Sequence, residues 1–292
     1  MSGTVHCVWE ARAAHGEGPI WSPAHSAIYA VDIKGSRILS LSPSDGTRRE
    51  WAMEEACCWL VERVDGNGFL AGLKSRVVHL RLDGDVPEIL DEIARPESRL
   101  SGNRLNDAKA DARGRVWFGT MDEEEADASG SLYRLDPDGS CSRMDQGYTI
   151  ANGPAISPDG RTLHHTDSAE RTIYAFDLDD DGGLANKRVH IRFDEDDGFP
   201  DGMTCDAEGG LWVAHWGAGR ITRFHPDGTR DRSIEIPASC VTSCIFGGPA
   251  LDRLYVTTAA HRRLHEPLAG GIFEVDAGVT GLPPHRFGHP PQ

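Results

Sequence analysis

Asn152-Gly-Pro-Ala-Ile-Ser-Pro-Asp-Gly160 leads into Thr162-Leu-His-His-Thr-Asp167 and Arg171-Thr-Ile-Tyr-Ala-Phe176, and then into a turn at Asp181-Gly182. Short β-branched and aromatic runs alternate with Asp-Gly turns, the signature of antiparallel strands joined by hairpins. The same order recurs elsewhere. Gly18-Pro-Ile-Trp-Ser-Pro23 precedes Ala27-Ile-Tyr-Ala-Val-Asp32, and Asn106-Asp-Ala-Lys-Ala-Asp-Ala-Arg-Gly114 precedes Val116-Trp-Phe-Gly119. Asp201-Gly-Met-Thr-Cys-Asp-Ala-Glu-Gly209 precedes Leu211-Trp-Val-Ala214, and weaker copies begin near Cys58 and Thr242. The copies start near residues 18, 58, 106, 152, 201 and 242, so they lie 40 to 49 residues apart.

No long apolar stripe of helical period flanked by caps interrupts this pattern. Three or four strands per unit, repeated six times, predict an all-β six-bladed β-propeller, each blade a four-stranded antiparallel sheet. A pair of β-sandwiches is the competing architecture, but sandwiches do not need equal repeats. A propeller closes only as a whole, so residues 1–292 are read as one domain. The strand at Val5–Glu10 and the tail near His285-Arg-Phe287 are expected to share a blade and close the ring.

Composition narrows the function. The 292 residues are 39% hydrophobic and 26% charged, ample for a buried core. Thirty basic against 46 acidic side chains give a formal charge of −16, which repels a nucleic-acid backbone. No apolar run approaches the ~20 residues that span a bilayer, and no basic and apolar leader opens the chain. Nucleic acid and membrane are therefore not expected partners. The seven cysteines, at 7, 57, 58, 141, 205, 240 and 244, form no Cys-x-x-Cys pair. Free thiols in a reducing cytoplasm are the simplest account. Adjacent Cys57 and Cys58 are read as buried packing.

In a propeller the innermost strands line a central channel, so equal repeat positions sit on one ring around the axis. The positions just before each inner strand are Glu17, Asn106, Asn152 and Asp201; in the weak copies they fall near Cys57 or Cys58 and near Thr242-Ser243. Taken singly, Asn and Asp are common turn residues. As a matched set at a channel mouth, they bring carboxylates and amides together on one axis, where a divalent cation relieves their repulsion. An all-oxygen set favours Ca²⁺, Mg²⁺ or Mn²⁺, with Fe²⁺ and Zn²⁺ compatible. Other chemistries lack their motifs. There is no Gly-x-Ser-x-Gly elbow, no His-Glu-x-x-His and no phosphate-cradling Gly-x-x-x-x-Gly-Lys. Asp177-Leu-Asp-Asp-Asp-Gly182 starts like a Ca²⁺ loop, but its twelfth position is Arg188, so it reads as a hairpin turn. Asp194-Glu-Asp-Asp197 reads as a solvated loop. Strand alternation sends His164 and His165 to opposite faces, one of which could meet a pocket.

Gly16-Glu-Gly-Pro-Ile-Trp21, Arg104-Leu-Asn-Asp-Ala-Lys109, Gly114-Arg-Val-Trp-Phe-Gly-Thr-Met121, Pro200-Asp-Gly-Met203 and Cys244-Ile-Phe-Gly-Gly-Pro249 fall in a familiar order. Together with the Asn152 segment, they resemble the senescence marker protein/regucalcin/gluconolactonase superfamily over about residues 6 to 278. Val31-Asp-Ile-Lys34, Gly72-Leu-Lys74, Ser129–Arg134 and Thr172–Leu178 look closest to bacterial pentonolactonases, xylonolactonase or arabinonolactonase.

The resemblance implies a six-bladed propeller with one divalent ion (Ca, Zn, Mn, Mg or Fe(II)). It places Glu17, Asn152 and Asp201 as the metal ligands and Arg104 and Asn106 against substrate. It also implies an acid within Asp122–Glu125 that touches substrate, taken as Glu123. The expected activity is hydrolysis of a sugar-acid lactone to the aldonate, with Asp201 as the proton acceptor. The expected state is a monomer or weak homodimer. A metal-dependent esterase or phosphotriesterase and a non-catalytic cation-binding propeller are the alternatives. The family's usual Asn-Asp-Gly-Lys is here Asn106-Asp-Ala-Lys109.

Overall fold

The repeat's turns close hairpins. In the fourth unit Gly160 takes φ +70, and Asp159 accepts the Ser157 hydroxyl at 2.6 Å and the Arg161 amide at 3.0 Å. The chain is described over residues 4–289 by a computed structural model, and those residues form six four-stranded antiparallel sheets. The innermost strands are Gly16–Ser22, Cys57–Glu62, Asn103–Ala110, Ala151–Ile156, Phe199–Cys205 and Val241–Gly247. Each touches the next, and the last touches the first, so the sheets stand as six blades around one axis.

Burial follows distance from that axis. The inner strand Cys57–Glu62 is buried at every residue, whereas the outer strand Glu88–Ala94 of the same blade is largely exposed and carries three acids. Large side chains such as Trp59, Trp117 and Trp212 fill the space between blades and are at most 1% exposed. All seven cysteines are free, and Cys57 and Cys58 are buried. Among the described residues, no helix is long and apolar enough to cross a membrane.

Two expectations need correction. Strand Val5–Trp9 does close the ring, pairing antiparallel with Ile272–Val275 as the outermost strand of the sixth blade. The tail takes no part in that blade. Residues 280–288 run under the ring instead. Thr280 accepts from the Ala207 amide of the fifth blade, and Phe287 exchanges backbone bonds with Glu62 and Val64 of the second. Phe287 is 6% exposed within the core of the second and third blades. Pro283-Pro284 has no amide to give a ladder, so burial of the ring steers this segment. In Asp194–Asp197, Asp194, Glu195 and Asp196 are solvent-exposed as expected, but Asp197 is not: it closes the 3-10 turn Glu195–Asp197, is buried, and is bridged by Arg220 at 2.5 Å and Arg230 at 2.7 Å.

Candidate active site at the head of the channel

Every inner strand carries one residue more than its neighbour near its start. The register slips between Glu17 and Ile20, Cys57 and Trp59, Leu105 and Ala108, Asn152 and Ala155, Pro200 and Met203, and Val241 and Ser243. Such a bulge breaks the alternation and re-aims a side chain. Glu17, Asn106, Asn152 and Asp201 therefore lie within their strands rather than before them. Gly18 and Gly153, at φ +53 and +71, follow two of them, a conformation that a side chain would strain.

All four are at most 6% exposed. Arg104, Asn106, Asn152 and Asp201 line a cavity of ≈ 660 Å³, and Glu17 lies buried beside them. Burial pushes the Glu17 carboxyl well above the ordinary range, and the charges of Asp201 and Asp107 push it further. One Glu17 oxygen takes the amide of Gly18, and Oε1 has no partner among the described residues. Asp201 is likewise raised, first by burial and then by Asp107. Asp107 is raised to about 6, again by burial. The site thus gathers buried like charges, one Glu17 oxygen of which lacks a donor, an arrangement that a positive ion stabilises. Among the described residues, no three His, Cys, Asp or Glu side chains are gathered as a metal cluster. The oxygen set here is two acids and an amide.

Asn106 joins two blades: its Nδ2 donates to Ala151 O at 2.8 Å and to Asn152 Oδ1 at 2.7 Å. Arg104 Nη1 donates to Asn106 Oδ1 at 2.6 Å and to Leu105 O at 3.0 Å. In the sixth blade Thr242 donates to the carbonyl of Gly16 at 2.6 Å, steadying the strand that carries Glu17. Glu123 stands at the cavity rim, 44% exposed at its side chain, with Lys74 Nζ at 2.6 Å. Neither His164 nor His165 lines the cavity: His164 packs on His190 at 4.6 Å, and His165 meets the edge of Tyr148 at 4.5 Å.

Sequence reading overlooked Asp107 and His15. Asp107 occupies the place held by Gly18, Gly153 and Gly202 in the first, fourth and fifth blades, so the repeat offered no side chain to look for there. His15 stacks on Trp216 at 5.4 Å and lines the cavity. Burial and the charges of Arg104, Lys34 and His261 hold its imidazole down to about 3, so it is neutral. Its one signal was its place directly before Gly16-Glu17.

Residues 15–260 match the family model described as "SMP-30/Gluconolactonase/LRE-like region". The chain is 32% identical to regucalcin of Gallus gallus, across 97% of this chain and 98% of that one. It is 33% identical to pentonolactonase XacC of Haloferax volcanii, again across 97% and 98%. A solved calcium-binding protein, regucalcin of Agrobacterium tumefaciens, superposes with a TM-score of 0.89 at 28% identity, across 98% of each chain.

Proposed function

The chain belongs to the SMP-30/gluconolactonase/LRE-like family, and from that premise we propose that it is a sugar lactonase. It opens a sugar-acid lactone, a pentonolactone foremost, to the aldonate at a divalent-cation site formed by Glu17, Asn152 and Asp201. The observation that carries this reading is the pair of buried carboxylates, Glu17 and Asp201, brought from two blades against each other's charge. Uncompensated burial of two acids is costly, and a cation offsets it. The relatives named pentonolactonase and calcium-binding protein support the substrate class and the ion.

When bound, the cation supplies Lewis-acid polarisation of the ester carbonyl. Asp201 is the base: its carboxylate takes the proton of the attacking water and returns it to the ring oxygen as the ester bond breaks. Arg104 commits Nη1 to the protein, which leaves its other N–H groups for the lactone. Asn106 holds Asn152 in place from the other side, and Glu123 accepts a sugar hydroxyl at the rim.

The test is a hydrolysis panel on chelator-treated protein, supplied in turn with Ca²⁺, Zn²⁺, Mn²⁺, Mg²⁺ and Fe²⁺. Spontaneous ring opening is subtracted throughout. Pentono- and hexonolactones are compared with an aryl ester and a phosphotriester. The proposal expects lactone opening that returns with a cation. Turnover of only the ester or the phosphotriester, or cation binding with no turnover, overturns it.

A further inference from the structure

Between Asn152 of the fourth blade and Asp201 of the fifth stands Ser168, 5% exposed, directly after strand Thr162–Asp167. Its Oγ lies 2.6 Å from the carbonyl oxygen of Pro200, the residue before Asp201, and 2.9 Å from Asn152 Nδ2. A carbonyl only accepts, so the serine proton points at Pro200. The serine oxygen then accepts from Asn152, which turns the amide nitrogen toward Ser168 and the amide oxygen away.

The opposite end of the chain of bonds demands the same. Arg104 only donates, and its Nη1 claims Asn106 Oδ1. Asn106 must therefore offer nitrogen, and Asn152 must receive it on Oδ1. The orientation of an amide is ordinarily an assignment. Here two groups that cannot reverse their roles fix both. The run from Arg104 through Asn106, Asn152 and Ser168 to Pro200 crosses three blades, with every donor pointing the same way, and bonds so aligned polarise one another.

We infer that Ser168 is a positioning residue for the cation site: it keeps Asn152 Oδ1 turned to the site and anchors the backbone that carries Asp201. This rests on the divalent-cation reading above. Without the hydroxyl, Asn152 Nδ2 and the Pro200 carbonyl lose their partner. Only Asn106 then opposes a turnover of the amide that would present N–H groups where an acceptor is needed.

The test is calorimetric titration of chelator-treated protein with Ca²⁺ alone and Mn²⁺ alone, with thermal melts alongside. Partners that orient metal ligands are typically worth about 10–100-fold in affinity, and Ser168→Ala is expected to lose that much. Ser168→Thr, which keeps the hydroxyl, restores most of it. A purely structural serine would lower the melting temperature and leave the affinity measured well below it unchanged, and that result overturns the inference. Should Ser168→Ala not fold, Ser168→Thr and Ser168→Val offer one shape with and without the hydroxyl, and equal affinity in the two overturns it likewise. If the wild-type protein binds neither of these nor Mg²⁺, Zn²⁺ or Fe²⁺, the cation reading itself fails and the inference falls with it.

Discussion

Asp201 and Asp206 stand at opposite ends of one inner strand, both buried, and the fold treats them in opposite ways. Asp206 is 0% exposed and fully engaged. It accepts the amides of Glu208 and Gly210 at 3.0 and 2.8 Å, Trp212 Nε1 at 2.9 Å and Arg223 Nε at 2.6 Å. The third blade repeats the device: Asp111 accepts Trp117 Nε1 at 2.9 Å and Arg115 Nε at 2.6 Å. Among the described residues Asp201 bonds no guanidinium: it has the amide of Gly202 and the charge of Arg104 on one side, and the repulsion of Asp107 and Glu125 on the other. Burial is common to both acids, so it does not separate the acid that builds from the one proposed to hold a cation. The supply of donors does.

The widest gap between the two ends should appear in stability. Asp206→Ala takes the acceptor from the Trp212 indole and the Gly210 amide and leaves Arg223 with Asp231 and Glu208 in place of three carboxylates, and losing one partner of such a buried network costs about 3–5 kcal/mol. Urea unfolding should show that loss. A variant within ~1 kcal/mol of wild type would mean that Asp206 does not hold the fifth blade. At the other end the signs reverse. Glu17→Gln and Asp201→Asn remove a buried like charge, so the metal-free variants should be at least as stable as wild type. Their kcat/KM should nevertheless fall by about 10²–10³-fold, the scale of losing one preorganised electrostatic contact. Variants that are destabilised yet active would put these acids with Asp206.

Protonation sharpens the contrast further. Asp107 is raised to about 6, above its unfolded value, so the native state binds this proton more tightly than the unfolded chain. Its contribution to stability is complete at pH below about 4 and is lost as pH rises through about 6. His15, His164 and His165, held down to about 3 by burial, act in the opposite sense, so the overall slope mixes both. The comparison with Asp107→Asn separates the acid, with its push on Glu17 and Asp201, from the histidines. In chelator-treated protein the variant's advantage in melting temperature should be small near pH 4.5 and grow through pH 7.5, by about 2–4 °C per kcal/mol of burial cost relieved. An advantage that shrinks with pH would show that Asp107 is an ordinary, paired carboxylate.

The blades were legible in the sequence because their turns and their period are local signals. Glu17, Asn106, Asn152 and Asp201 were legible because, in a ring, a repeat index is a spatial coordinate. What escaped was set through space. The bulge that puts these residues inside their strands has no composition of its own. Asp107 hides in a position that three other blades fill with glycine. Ser168 matters because Pro200 of the next blade lies 2.6 Å away, a neighbour that no pattern along the chain announces. The tail's course under the ring depends on where Phe287 finds a buried place and backbone partners in Glu62 and Val64, after two prolines that themselves can give no amide.

The smallest effect belongs to the rim, where the acids face water. Asp122 is turned into its own loop, where Oδ2 accepts the amides of Ala126 and Asp127 at 3.0 Å each, and it does not line the cavity. Glu123 is held over the cavity by Lys74, but both partners are more than two-fifths exposed, and such pairs contribute about 0–1 kcal/mol. Glu123→Gln should therefore leave stability unchanged and raise KM by no more than about fivefold, with kcat intact. The same substitution at Glu124 or Glu125 should do less, because neither has a lysine to hold it in place. If Glu124→Gln or Glu125→Gln raises KM and Glu123→Gln does not, then the rim acid that meets the sugar is the one free to move rather than the one tethered.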